Sequence, residues 1–219
     1  MIDTESGARE VAQRWLDANM REPAGTFCVR GVADVGPIWR VVVGWGAIPS
    51  WASALRVDKG TGEAQLDFSP SSRVGASARE GYVAMMRGVV VPELRRLGFV
   101  GSGRNFTLPA PDHYATLSFQ QSRGNVWTLA RFTANLSVIS HEEWSEWSAA
   151  QVGATEPADR PRPGWSYAVG WSERLGMVSQ HDHDYWWSVW AGFPTDDVAA
   201  DLVAAIRDHA VPAMREMLG

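Results

Sequence analysis

Apolar side chains recur at helical spacing near the start of the chain, and this spacing predicts a helix over residues 7–20. Its apolar stripe consists of Ala8, Val11, Ala12, Trp15 and Leu16. Ser6 stands directly before the stripe, so we expect its hydroxyl to accept a hydrogen bond from a free backbone amide as the N-cap. Pro23 and Gly25 follow and end the segment.

A second predicted helix begins with a capping box, in which a serine and a glutamate bond each other's free backbone amides. Ser77 and Glu80 form this box, and the helix runs to about Leu97. Pro92 lies inside it and predicts a kink, because proline donates no backbone hydrogen bond. Gly98 is a suitable C-terminal cap.

Two further helices are predicted in the second half of the chain. Ser140 and Glu143 form another capping box, which opens a short helix through about Ala150. The last helix begins after Thr195, and its first turn carries two aspartates that oppose the helix dipole. The end of this helix, residues 211–219, resembles residues 91–98. Both segments begin with Val-Pro and then place basic and apolar residues in a similar order. One match of this length is weak support for a repeat, and we interpret it as chance.

The segments between the helices alternate apolar and polar residues or are rich in β-branched residues, and they predict strands. These strands cover residues 26–30, 38–45, 55–58, 63–68, 105–108, 114–121, 126–139, 165–171 and 185–191. Because each group of strands follows its own capped helix, we expect an α+β fold with a helix packed on an antiparallel sheet. The chain then forms either two small units, over residues 1–70 and 77–219, or one continuous layered domain.

Composition narrows the classes of protein. The chain has 219 residues, of which 45% are hydrophobic, and it contains no apolar run long enough to cross a bilayer. Its first ten residues are polar and acidic, unlike a signal peptide. The single cysteine, Cys28, excludes a disulfide framework and a zinc site with several cysteines. We therefore expect a cytosolic protein that does not enter the membrane.

Charge and tryptophan content point to the kind of partner. The net charge is −5, but residues 139–219 alone carry five basic and thirteen acidic side chains, a net of −8. This part argues against binding of nucleic acid phosphates, and it favours either a basic partner or solubility alone. The twelve tryptophans supply rigid anchors for a core or an interface.

The run His181-Asp182-His183-Asp184 carries the strongest candidate chemistry. If the run is extended, His181 and His183 share one face, as a pair of metal ligands would. A transition metal needs three or four ligands, and the sequence places no third ligand nearby. The other interpretation is a polar turn, so we expect no metal and keep a metal-assisted hydrolase using His181, Asp182 and His183 as an alternative.

Other catalytic patterns are incomplete. His141-Glu142 lacks the second histidine of a zinc protease, since residue 145 is serine. Gly101-Ser102-Gly103 follows a predicted helix rather than a strand, which is the wrong context for a phosphate loop. No serine-nucleophile elbow occurs. We therefore assign no catalytic residue and no cofactor.

The aromatic run from Tyr185 to Trp190 provides candidate binding residues. In a strand, Trp186, Ser188 and Trp190 share one face, and Tyr185, Trp187 and Val189 share the other. One face can enter the core, and the other then meets solvent, a ligand or a partner unless a second layer covers it. The candidate binding residues of this run are Trp186, Trp187 and Trp190.

Four polar residues interrupt strands that are otherwise apolar, namely Gln120, Gln121, Arg131 and Asn135. Buried amide and guanidinium groups need hydrogen-bond partners. These residues therefore either tie loops to the sheet or form a polar recognition face.

The second half of the chain resembles the bacterial family called domain of unknown function 4304, over about residues 80–219. The resemblance rests on Leu94, Leu97-Gly98-Phe99, Arg104-Asn105-Phe106, Phe119-Gln120-Gln121-Ser122 and Arg131-Phe132-Thr133-Ala134-Asn135-Leu136. The chain departs from the family at Val100-Gly101-Ser102, where basic residues are expected. The family name implies no activity.

Residues 8–68 resemble the immunity protein 35 group of small α+β domains. The resemblance rests on the opening helix, Gly44-Trp45 and Val57-Asp58-Lys59-Gly60-Thr61-Gly62-Glu63. It implies a non-catalytic protein that neutralises a partner toxin.

Together these features lead us to expect a non-catalytic, cytosolic bacterial binding protein whose partner is a protein toxin. Besides the hydrolase, the sequence leaves open a small-molecule sensor with an aromatic pocket around Trp186, Trp187 and Trp190. The oligomeric state is also left open.

Overall fold

The computed structural model of the chain describes residues 1–19, 27–45, 52–67, 76–127, 129–151 and 159–219. It combines helices with antiparallel sheets, which confirms the predicted α+β class. The chain divides into two compact units. The first unit comprises Met1–Tyr82, Val126–Ala130 and Val189–Pro194, and the second comprises Val83–Asn125, Arg131–Ser188 and Thr195–Gly219. The first unit thus includes two short segments that lie far beyond its predicted range of 1–70.

Four antiparallel strands form the sheet of the first unit, in the order β1-β2-β3-β4. Their bounds are Phe27–Val35 for β1, Ile38–Trp45 for β2, Ala52–Asp58 for β3 and Ala64–Leu66 for β4. A hairpin turn joins β3 to β4, and in it Asp58 Oδ1 accepts backbone hydrogen bonds from Gly60 and Thr61 at 2.9 and 2.8 Å. A carboxylate that bonds the backbone two or three residues on favours such a turn.

Helix α1, Glu5–Asn19, packs on one face of this sheet through the predicted apolar stripe. The buried residues of this core are Ala8, Ala12, Leu16, Trp39, Val41, Val43, Leu55 and Val57. The predicted N-cap is wrong. Ser6 lies inside the helix, and the hydroxyl of Thr4 accepts the hydrogen bond from the Gly7 amide at 3.1 Å.

The other face of the first sheet contains a buried ion pair. Arg40 and Asp67 both have fully buried side chains, and Arg40 Nε donates to Asp67 Oδ2 at 3.0 Å. Arg40 Nη1 also donates to the backbone oxygen of Ala191 at 2.8 Å, and its guanidinium lies 5.2 Å from the ring centre of Trp127. Charge pairing and hydrogen bonds together allow this arginine to be buried.

Six strands form the second sheet, in the order β10-β8-β7-β6-β5, with β9 also paired to β8; they belong to the second unit except for residues 129–130 of β8 and 189–190 of β10. Their bounds are Val100–Ser102 for β5, Asn105–Leu108 for β6, His113–Gln121 for β7, Leu129–Ser140 for β8, Trp171–Arg174 for β9 and Trp187–Trp190 for β10. The prediction of a strand over residues 165–171 is wrong for all but its last residue. Residues 162–165 turn instead, with the Trp165 amide donating to the Arg162 oxygen at 3.2 Å.

The remaining helices belong to the second unit, except that residues 78–82 of α2 belong to the first unit. They are α2 Ala78–Met85, α3 Val91–Arg96, α4 His141–Ala149, α5 Leu175–Val178, α6 Asp196–Ala205 and α7 Val211–Leu218. Both predicted capping boxes are confirmed, at Ser77 with Glu80 and at Ser140 with Glu143. In the described part of the chain, none of the helices combines the length and the apolar character that crossing a bilayer requires.

A π-helical segment precedes proline in two helices, one of them at Pro92, where the sequence predicts a kink. Met86–Val90 joins α2 to α3, and Ile206–Ala210 joins α6 to α7. In each case the next residue is a valine followed by proline, and the valine amide bonds the oxygen five residues back. The wider turn accommodates the proline ring, which cannot donate to an α-helical acceptor. The similar sequences at 91–98 and 211–219 therefore share a local structure.

Candidate functional site

A polar face on the sheet of the second unit results from strand alternation. Alternate side chains on β7 and β8 enter an apolar core that includes Phe119 and Phe132, and the others lie on the opposite face. These other side chains are Thr116, Ser118 and Gln120 on β7, and Thr133, Asn135 and Ser137 on β8. Strand β9 extends the polar face, because Arg174 pairs with Asn135 and Ser172 pairs with Ser137.

A partly enclosed cavity of about 340 Å³ lies on this polar face. It is lined by Thr116, Gln120, Asn135, Leu136, Ser137, Gly164, Trp165, Ser166, Ser172, Glu173 and Arg174. The lining combines hydroxyls, two amides and one guanidinium with an indole ring, whereas Glu173 pairs with Leu136 and its side chain alternates to the opposite face of the sheet. Trp165 is 60% exposed, so its ring is open to a ligand.

The segment 159–167 forms one wall of the cavity, and we call it the strap. At Gly164 the backbone has a φ of +79°, and a Cβ there would lie 3.3 Å from Ser118 Cβ, so the strap passes close over the sheet. The Ser166 and Ser172 hydroxyls are 3.1 Å apart, which links the strap to β9. The polar face is therefore covered by backbone and small side chains at this point.

Aromatic residues hold the strap in place. Tyr114 donates its hydroxyl hydrogen to the Asp159 oxygen at 2.9 Å, and the Arg162 amide donates to the Tyr167 hydroxyl at 2.8 Å. The Tyr167 ring packs edge-on against Trp144 and Trp147 of α4, at 4.9 and 5.1 Å between ring centres. The capping box that begins α4 thus helps to position a wall of the cavity.

Arg174 is fixed by an ion pair and an aromatic ring. Its Nη1 lies 2.7 and 2.8 Å from the two carboxylate oxygens of Asp184, and its guanidinium lies 5.4 Å from the ring centre of Trp186. Arg131 approaches the same ring at 5.9 Å. Two polar atoms under this face, Ser118 Oγ and Arg131 Nε, are buried without a hydrogen-bond partner. The face therefore retains unused hydrogen-bonding capacity.

The structure brings two of the predicted polar residues together at the cavity. Asn135 Nδ2 donates to Gln120 Oε1 at 3.1 Å, and both side chains line the cavity. Gln121 points to the opposite face of the sheet and accepts from Arg104 Nη2 at 3.4 Å. Arg131 lies beside Trp186 outside the lining.

The predicted aromatic residues fall in different environments. Trp187 is 2% exposed, stacks on Phe132 and donates from Nε1 to Asp201 Oδ2 of α6 at 2.7 Å, so it belongs to the core. Trp186 and Trp190 are half-buried, and Trp190 belongs to the first unit. The predicted alternation is confirmed within β10, whose burial alternates from Trp187 onwards. Their role as binding residues stays a prediction.

The histidine segment makes local contacts. His181 Nε2 lies 3.0 Å from Asp201 Oδ2, and its ring stacks on Tyr185 with the ring centres 3.6 Å apart. His183 Nδ1 contacts the His181 backbone oxygen, and Asp182 is exposed with a φ of +53°. Burial, and secondarily the Asp201 charge, raises the pKa of Tyr185. Within the described ranges, no group of three or more His, Cys, Asp or Glu side chains could hold a metal ion.

Two cavity residues were missed from the sequence. The alternation pattern places Trp165 in a strand, although Trp165 directly follows a Pro- and Gly-rich segment, the usual sign of a surface turn. Arg174 carries no local signal, because its position depends on the pairing of β9 with β8. The alternation of hydroxyl and amide residues at 116, 118 and 120 and at 133, 135 and 137 was the available sign of a polar sheet face.

Comparison with known proteins finds a family match for the second half of the chain. A family model described as a domain of unknown function (DUF4304) matches residues 90–216, which include every residue that lines the cavity. No curated protein and no solved structure matches the chain. The resemblance of residues 8–68 to the immunity protein 35 group is not confirmed, since the match begins at residue 90.

Proposed function

Because the chain belongs to the DUF4304 family, whose description names no activity, we propose a function from the site itself. The protein is a non-catalytic binding protein that holds its partner at the cavity of the second unit. The observation that carries this proposal is the polar cavity, whose lining provides four hydroxyls, two amides and a guanidinium.

The chemistry of the lining supports binding rather than catalysis. Among the described residues that line the cavity there is no histidine, cysteine or lysine, and the hydroxyls of Ser166 and Ser172 contact each other rather than a base. Nucleophilic catalysis needs a nucleophile within hydrogen-bond reach of a base. Hydroxyl, amide and guanidinium groups on a rigid sheet instead provide oriented hydrogen bonds for recognition.

The biological role that we propose is that of a bacterial, cytosolic immunity protein, which neutralises a toxin by covering part of its surface. The net charge of −8 over residues 139–219 supports a basic protein partner. Exposed carboxylates of the second unit include Asp182, Asp184, Asp196 and Asp197. Opposite charges on the two partners would speed their association.

Growth rescue tests this role. Each gene that adjoins this one in the source genome is expressed in a bacterial host, alone and together with the chain. We expect one product to arrest growth and the chain to restore it and to co-elute with that product. The variant carrying both Gln120→Ala and Asn135→Ala should fail to rescue, whereas Asn19→Ala, an exposed amide on α1, should rescue fully. Rescue that does not depend on the cavity, or no rescue at all, would contradict the role.

A second candidate is a small-molecule sensor, and the size of the cavity favours it. A volume of about 340 Å³ is close to the lower end of the range for small-ligand sites. The exposed ring of Trp165 on the lining would report occupancy. Tryptophan fluorescence during titration with a panel of metabolites tests this candidate, and a panel that leaves the emission unchanged at saturating concentrations argues against it.

A further inference from the structure

We propose that the cavity of the second unit binds a neutral, polyhydroxylated ligand, with a sugar ring lying against Trp165 and its hydroxyls bonded to the sheet. This inference rests on the second candidate above, in which the cavity takes a small ligand. It follows from the charge, the hydrogen-bonding groups and the exposed indole of the cavity.

The charge of the lining disfavours an ionic ligand. Arg174 supplies the formal charge on the polar face of the cavity, because alternation along β9 places the Glu173 side chain on the opposite face of the sheet. Asp184 neutralises this charge by pairing with Arg174 from outside the lining. A phosphate or carboxylate ligand would compete with Asp184 for the guanidinium and would be repelled by the Asp184 carboxylate at short range. A cationic ligand would be repelled by the guanidinium of Arg174.

The hydrogen-bonding groups match hydroxyls better than other ligand groups. A sugar hydroxyl both donates and accepts, and the lining offers partners of both kinds through four hydroxyls and two amides. These groups belong to Thr116, Gln120, Asn135, Ser137, Ser166 and Ser172. The Asn135–Gln120 hydrogen bond uses a hydrogen of the Asn135 amide and the oxygen of the Gln120 amide. The Asn135 oxygen can therefore accept from a ligand, and the Gln120 nitrogen can donate to one. An apolar ligand would leave these polar groups without partners, at a cost in free energy.

The indole of Trp165 supplies the apolar part of the site. It is 60% exposed although it is among the largest apolar side chains, and it stands at a cavity that is otherwise polar. Sugar rings present C–H groups on one face, and these pack favourably on an aromatic face while the hydroxyls at the ring edge form hydrogen bonds. Arg162 approaches the Trp165 ring at 5.4 Å and helps to hold it in place.

The strap determines the size of the ligand. The strap is attached through the Tyr114–Asp159 hydrogen bond and through the packing of Tyr167 on Trp144 and Trp147. The cavity of about 340 Å³ that it bounds suits a ligand of one or two sugar rings rather than a long polymer. The ligand lies between a rigid sheet and a fixed wall, so little conformational entropy is lost in ordering the protein.

Calorimetry and tryptophan fluorescence with the purified full chain test the inference. The neutral probes are glucose, N-acetylglucosamine, maltose and cellobiose, and the charged probes are glucuronate and glucose 6-phosphate. We expect at least one neutral probe to bind and its charged counterparts to bind more weakly. Trp165→Ala should weaken this binding about tenfold, because the variant loses both the contact with the aromatic ring and the burial of apolar surface against it. Trp165→Phe should retain most of the affinity.

Matched variants separate loss of binding from loss of folding. The Gln120→Ala and Asn135→Ala variants should each weaken binding about tenfold, as expected for a lost hydrogen bond in an enclosed site. Asn19→Ala should bind like the wild type, and all variants should keep the wild-type circular dichroism and unfolding midpoint.

Two results would overturn the inference. If only charged probes bind, a small-ligand function stands but the neutral sugar class is wrong. If no probe binds, or if binding is unaffected by Trp165→Ala, the saccharide site is wrong, and the growth-rescue assay then decides separately whether the cavity binds a protein partner.

Discussion

Asn135 Nδ2 donates a hydrogen bond to Gln120 Oε1 across the boundary between β8 and β7, at 3.1 Å. Gln120 is exposed and Asn135 is half-buried, so solvent replaces this bond readily when one partner is removed. The pair therefore contributes mainly to the surface that the cavity offers and little to the stability of the sheet.

We predict that Asn135→Ala and Gln120→Ala each change the free energy of unfolding by less than about 1 kcal/mol, because exposed hydrogen bonds contribute little net stability. Urea unfolding followed by circular dichroism measures this. A loss well above that value for Gln120→Ala would show that the amide supports the fold rather than a ligand.

The polar face shows which features of the site can be predicted from the sequence alone. Gln120, Arg131 and Asn135 were identified as polar residues on apolar strands, and alternation along a strand then places Gln120 and Gln121 on opposite faces. Alternation is a local property and follows from the sequence. The capping boxes are local too, since each involves residues only three positions apart.

The rest of the site depends on contacts between distant parts of the chain. Arg174 reaches Asn135 only because β9 pairs with β8, and no local pattern fixes that register. Trp165 stands at the cavity because its strap is held by Tyr114, about fifty residues away. The two π-helical segments illustrate the opposite case, because a local Val-Pro pair at 91–92 and 211–212 produces the same backbone irregularity in both places.

Loss of the capping box of α4 should lower both the stability of the protein and the affinity of the cavity for a ligand. Ser140→Ala removes the hydroxyl that accepts from the Glu143 amide at 3.1 Å, and loss of a serine N-cap costs about 1 kcal/mol. Because α4 carries Trp144 and Trp147, which hold Tyr167 of the strap, any ligand affinity should fall as well. Urea unfolding measures the stability.

The matched control is Ser145→Ala, an exposed serine in the same helix, which should leave both quantities unchanged. An equal loss in both variants would indicate a general effect of alanine on α4 and not the cap.

The Ser140–Glu143 capping box also predicts that the stability of the protein depends on pH. Hydrogen bonds from the Ser140 amide and hydroxyl lower the pKa of Glu143 below its ordinary value of 4.5. A carboxyl whose pKa is lower in the folded state stabilises it fully above the unfolded-state value, and that stabilisation is lost as the pH falls through the folded-state value. The contribution of Glu143 should therefore be constant at neutral pH and decline below about pH 4.5.

Unfolding midpoints of the wild type and Glu143→Gln between pH 3 and pH 7 measure this decline. The difference between the two proteins should shrink toward low pH, where both side chains are neutral. A difference that grows on acidification would contradict the lowered pKa of Glu143.

The buried ion pair of the first unit makes a separate prediction. Asp67→Ala leaves the Arg40 guanidinium in the core without its carboxylate, and breaking such a pair costs about 3–5 kcal/mol. The double variant Arg40→Met with Asp67→Leu removes both charges and should recover much of that loss. The control is Arg9→Ala, which removes a surface ion pair with Glu5 on α1 and should leave the unfolding midpoint nearly unchanged.

Asp201 connects α6 to the sheet of the second unit, and its substitution should reveal what this carboxylate does. Oδ2 accepts from Trp187 Nε1 at 2.7 Å and lies 3.0 Å from His181 Nε2, while Oδ1 accepts from Gln180 Nε2 at 2.8 Å. Asp201→Ala leaves the buried indole N–H without an acceptor, and an unsatisfied buried donor costs about 1–3 kcal/mol. Urea unfolding should therefore show a clear loss for Asp201→Ala. Asp201→Asn keeps one oxygen that can accept from the indole, so its loss should be smaller. If alanine and asparagine destabilise the protein equally, the charge of Asp201, and not its hydrogen bond to Trp187, holds α6 against the sheet.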